Sequence, residues 1–168
     1  RLGEKSPEKT RKYESEYKLI LGTLHTHAGR LDDAKATYGR ALELYRHGSE
    51  LRLAGLYNNF GNLLVLTGEL EEAGEMLEQS AQLYRKFLGP QHPKVGIALS
   101  NLGILILRQG RFEQAQKTVQ QARAILLLAL GKSHPNVGVV ENNLGDIAVR
   151  LGDNATAIDH YNRARRIF

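Results

Sequence analysis

The segment Gly89-Pro90-Gln91-His92-Pro93-Lys94-Val95-Gly96 returns as Gly131-Lys132-Ser133-His134-Pro135-Asn136-Val137-Gly138, displaced by 42 residues. The same displacement carries Gly61 onto Gly103 and Gly145, Gly68 onto Gly110 and Gly152, Ala73 onto Ala115 and Ala157, and Asn59 onto Asn101 and Asn143. A diverged first unit precedes them: its Gly22, Gly29, Ala34, Tyr38 and Ala41 match the later pattern at a spacing of 39. A recurrence of this length marks a stacked-repeat architecture, in which one unit cannot bury its apolar face without a neighbour.

Within a unit the apolar spacing is helical. Val95, Leu99, Leu102 and Ile106 form a stripe at three- and four-residue steps, and Gly110 ends it. A second stripe, Ala115, Val119, Ala122 and Ile125, predicts a helix over about Phe112 to Leu130. Gly131 suits the residue just past a helix and Pro135 the first turn of the next one. Alternating patterns of useful length are absent, so the expectation is all-α: a solenoid of about four antiparallel helix pairs spanning residues 10–48, 50–89, 92–131 and 134–168 as one domain. Small residues at Gly103 and Ala115 let the paired axes approach closely, and Ala122, like Ala41, Ser80 and Ala164, is expected to serve the contact with the following unit.

These residues resemble the tetratricopeptide repeat (TPR) family. The fourth unit supplies Gly145, Gly152, Ala157, Tyr161 and Ala164 at that family's signature places; the third supplies Gly103, Gly110, Ala115, Val119 and Ala122. The period exceeds the common TPR length of about 34. Together with the Leu-Gly-x-x-His-Pro-x-Val linkers (Leu88 to Val95, Leu130 to Val137), it is similar to the long-helix variety of kinesin light chains. The resemblance implies a right-handed superhelix whose first helices line a concave groove for a protein or peptide partner. Carried onto this chain, the groove residues are Asn58, Asn59, Asn62, Ile97, Ser100, Asn101, Ile104, Arg108, Asn142, Asn143, Asp146 and Arg150. Asparagine amides present two donors and an acceptor, which suits the backbone of an extended peptide, and arginines favour acidic or phosphorylated side chains on it. The bland alternative is that these polar groups face water or tie helices together. The cations of the chaperone-tail clamp are missing from the matching places, so that ligand is not expected.

Two features suggest a different use. Leu126, Leu127 and Leu128 form an apolar run wider than one helix face, expected either to pack on the next unit or to mediate self-association. Ile158, Tyr161 and Ile167 belong to a last helix with no capping helix after Phe168, a second route to a homo-oligomer. An assembly or regulatory module is therefore the alternative to peptide binding.

Composition sets the remaining limits. Cysteine is absent, which removes disulfides, thiolate chemistry and thiolate metal sites. No nucleophile–base constellation, phosphate loop or metal-ligand spacing occurs; His25 and His27 point to different faces, His92 and His134 precede prolines at helix starts, and His47 and His160 stand alone. The expectation is no enzymatic activity, no cofactor and no metal. The net charge is +5, but basic and acidic residues interleave, which argues against nucleic acid. No apolar run is long enough to span a membrane. The chain starts at Arg1 and stops within a helical pattern at Phe168, so it reads as part of a longer protein; the absence of cysteine suits the expected cytoplasmic location.

Overall fold

The computed structural model describes residues 7–45 and 49–168, with side chains from Tyr13 onward; His47 lies outside them. Eight helices follow one another: α1 (Pro7–His27), α2 (Leu31–Tyr45), α3 (Glu50–Thr67), α4 (Leu70–Leu88), α5 (Pro93–Arg108), α6 (Phe112–Leu130), α7 (Pro135–Arg150) and α8 (Asn154–Arg165). No strand occurs among the described residues. The expected second helix of the third unit, Phe112 to Leu130, is α6.

The punctuation follows from local chemistry. Gly29, Gly68, Gly110 and Gly152, between the helices of each unit, all sit at positive φ (71–88°), where a β-carbon would clash with the backbone. His92 and His134 cap α5 and α7: their Nδ1 atoms accept from the backbone N–H of Lys94 and Asn136 at 3.2 and 3.1 Å, and proline follows in the first turn. The linker histidines are thus turn residues.

Close approach within a unit depends on glycine. A β-carbon on Gly145 would lie 2.5 Å from the Tyr161 ring, and one on Gly61 would lie 2.8 Å from Leu77. Position 122 behaves differently from the expectation. The Ala122 carbonyl closes on Gly96 of its own unit, 3.2 Å from where a β-carbon would stand, and the equivalent Ser80 donates to the Ala54 carbonyl at 2.7 Å, also within its unit. The hydroxyl at Ser80 is accommodated because the adjacent carbonyl accepts it.

Helices contact only their neighbours along the chain, with one exception that sets the curvature. The first helices touch one another (α1 with α3, α3 with α5, α5 with α7), whereas α2, α4, α6 and α8 do not. The first helices therefore form the inner, concave layer. The apolar interior is divided accordingly into consecutive clusters, each assembled from the facing sides of adjacent units.

Candidate functional site

The asparagines expected along the groove form a ladder between first helices. Asn59 Nδ2 donates to Thr23 Oγ1 (3.3 Å), Asn101 Nδ2 to Asn58 Oδ1 (3.0 Å) and Asn143 Nδ2 to Ser100 Oγ (2.9 Å). Asn58 also donates to Asn59 Oδ1 at 3.2 Å. Each rung joins one unit to the preceding one, so the helix-tying alternative describes one hydrogen bond from each of Asn59, Asn101 and Asn143. Asn58, Asn59, Asn62, Asn101 and Asn143 are half-buried, Asn142 is exposed and Ser100 is buried. Ile97 is half-buried and packs against the apolar interior.

Farther along the concave face, at the C-terminal ends of α5 and α7, the structure brings four of the expected residues together. Ile104, Arg108, Asp146 and Arg150 line a depression of about 810 Å³, with Leu107, Phe112, Val149 and Tyr161 beside them. Ile104 and Leu107 are half-buried, while Arg108 and Arg150 are exposed. Among the described residues neither arginine has an ion pair. Asp146 is engaged: the Tyr161 hydroxyl donates to Oδ1 at 2.7 Å, and this bond to a carboxylate pushes the Tyr161 pKa up to about 12. The rim therefore offers two free guanidinium groups and one carboxylate pinned to a phenol.

The leucine run does not form a surface patch. Leu126 is 1% exposed and packs over Gly96, where an added β-carbon would meet its Cγ at 2.8 Å. Leu127 packs on the interior, and only Leu128, 75% exposed, faces outward. A self-association face made of Leu126, Leu127 and Leu128 is thus corrected to one exposed side chain, because helical geometry turns consecutive residues to different sides.

A second cluster went unanticipated. Glu141 on α7 is 2% exposed yet charged, receiving Arg123 Nε of α6 at 2.5 Å and facing His160 Nδ1 of α8 at 2.6 Å, with Arg163 at 3.9 Å. Burial pushes its carboxyl pKa up, but the hydrogen bonds with His160 and Arg123 outweigh that and leave it below the ordinary range. The available signal was a register violation: Glu141 stands 42 residues after Leu99, an apolar position.

The helix pairs, their glycine turns and the concave first-helix layer agree with family matches to the tetratricopeptide repeat over residues 52–127, 95–168 and 15–47. The chain belongs to the tetratricopeptide repeat family. Its TPR solenoid is similar to the crystal structure of BtubC (BKLC) from P. vanneervenii, at 26% identity and a TM-score of 0.79 over 99% of this chain and 66% of that one. This chain thus spans just under two thirds of that structure. Two structures of a kinesin-light-chain-like protein of Podosopora anserina with nearly identical TPR-like repeats share the fold at 18% identity. One has a TM-score of 0.73 over 99% of this chain and 77% of that one, the other 0.69 over 91% and 74%. No curated protein matches the chain. Among the described residues no TPR helix is long and apolar enough to cross a membrane, and no group of three or more His, Asp or Glu side chains is placed to hold a metal ion.

Proposed function

We propose that this TPR domain binds an extended segment of a partner protein along its concave face, and that acidic side chains of that segment are met by Arg108 and Arg150. The observation that carries this reading is the pair of exposed guanidinium groups without ion-pair partners, lining one depression together with Ile104, Leu107 and Val149. Two free guanidinium forks suit carboxylate or phosphate groups. Ile104, Leu107 and Val149, which line the same depression, supply apolar contact to the same segment. Asn62 and Asn142, which stand outside the hydrogen-bonded ladder, extend polar contacts to its backbone. The domain performs no chemistry of its own and acts by holding its ligand.

A peptide array probed with the purified chain tests this. Peptides with two or more acidic residues are expected to be retained over neutral ones. The double substitution Arg108→Ala, Arg150→Ala is expected to lower that binding about tenfold or more, with the circular dichroism spectrum unchanged. Equal retention of acidic and neutral peptides, or undiminished binding by the double variant, overturns the assignment.

A further inference from the structure

Tyr161 of α8 packs over Gly145, and its hydroxyl donates to Asp146 Oδ1 of α7 at 2.7 Å. That bond raises the hydroxyl pKa to about 12, so it remains a protonated donor at neutral pH. Asp146 and Arg150 stand one helical turn apart on α7, and both are exposed. An acid four residues before an arginine on one helix face is the arrangement that ordinarily forms an ion pair. Among the described residues these two form none. The repeat supplies an internal control. Translated back by 42 residues, Asp146 becomes Ile104, Arg150 becomes Arg108 and Tyr161 becomes Val119. The third unit thus has the groove arginine without the acid, and it also lacks the tyrosine. In the first unit Tyr38 makes the same reach, to Thr23 Oγ1 at 3.1 Å. The reach therefore belongs to a tyrosine at this place, and in the fourth unit it ends on the one acid that could occupy a groove arginine of its own helix.

We infer that Tyr161 is a positioning residue for the groove: its hydroxyl holds the Asp146 carboxylate off Arg150, so that Arg150 stays open, with Arg108, to acidic side chains of a partner segment. This rests on the groove reading above and adds what keeps its second arginine available. The physical reason is competition. A carboxylate tethered one turn away has a far higher effective concentration than an acid on a separate chain. Wherever it pairs with Arg150, the apparent affinity for a ligand acid falls by the fraction of molecules so occupied. A neutral phenol satisfies the carboxylate without adding charge to the depression that Arg108, Asp146, Arg150 and Tyr161 share.

The probe is a fluorescent peptide of alternating Glu and Ala, with its Gln-Ala counterpart as the neutral control, titrated with the full chain and followed by anisotropy. Tyr161→Phe keeps the ring over Gly145 and removes only the hydroxyl. It is expected to weaken binding of the Glu peptide about threefold, the loss set by an exposed ion pair one turn apart. Adding Asp146→Asn to it is expected to restore wild-type affinity, because the competitor is gone. The Arg150 Nε–H resonance, assigned in NMR spectra by its loss in Arg150→Lys, gives a reading without peptide. It is expected to shift in Tyr161→Phe and to return in the double variant. Wild-type affinity in Tyr161→Phe, or no recovery in the double variant, overturns the inference. So does an Arg150 resonance indifferent to Tyr161→Phe. Should the wild-type chain fail to prefer the Glu peptide over its Gln counterpart, the groove reading fails instead, and the resonance alone decides whether Tyr161 keeps Asp146 from Arg150.

Discussion

Glu141 is a carboxylate buried between Arg123 and His160, with Arg163 farther off, and it links three helices through side chains alone. Its folded-state pKa lies below the ordinary 4.5, so its stabilisation is present above that pH. The contribution fades as pH falls through the depressed folded value. Chemical denaturation of the wild-type chain is therefore expected to show stability declining below about pH 4.5, with a smaller decline in Glu141→Gln. At pH 7 the same substitution is expected to cost on the order of 3 kcal/mol, because Arg123 loses its counter-charge while still half-buried. Equal stability of the two proteins at pH 7 would show that the cluster contributes nothing net. This group was illegible from periodicity because an apolar register position predicts Leu or Tyr, and a charge there reads as an outward-facing residue. Only its partners on α6 and α8 make burial tolerable, and those are contacts across units.

At the scale of the helix, glycine separates into two kinds. Gly103 lies where an added methyl would collide with Val119 of α6, whereas Gly39 in α2 has nothing within 4 Å of the same methyl. Gly103→Ala is expected to cost roughly 1–3 kcal/mol through forced separation of α5 and α6. Gly39→Ala is expected to stabilise by about 0.5–1 kcal/mol, because it restricts the unfolded chain inside a helix. Thermal melts of the two variants moving in the same direction would refute this distinction. The repeat itself made Gly103 legible, since it recurs with Gly61 and Gly145, and the α6 boundaries followed from the apolar stripe and its flanking glycines. The role of Asn101 was only half legible. Its spacing placed it on the inner face, but the partner that takes its amide, Asn58, lies 43 residues away on another helix. Leu126 shows the converse: three consecutive leucines do not reveal which one turns inward, and its contact with Gly96 decides that.

Across the whole molecule, stability is a sum of unit and junction contributions, because helices meet only near neighbours. The two central units each have a junction on both sides, and the terminal units have one. The last helix is the weakest element by this reasoning. Only Ala157 and Ala164 of α8 are buried, and neither supplies much apolar area, so docking of α8 relies on Tyr161 over Gly145 and on the Glu141 cluster. Amide hydrogen exchange followed by mass spectrometry is therefore expected to be slowest in α4 and α5 and faster in α1 and α8. Glu141→Gln is expected to accelerate α8 selectively, since the broken contacts to His160 and Arg163 belong to it, while α3 and α4 keep wild-type rates. Exchange at one common rate through all eight helices would mean that the solenoid opens only as a single unit. The junction interfaces would then be strong enough to hold the terminal units as firmly as the centre, contrary to the exposed apolar ends at Leu24 and Phe168.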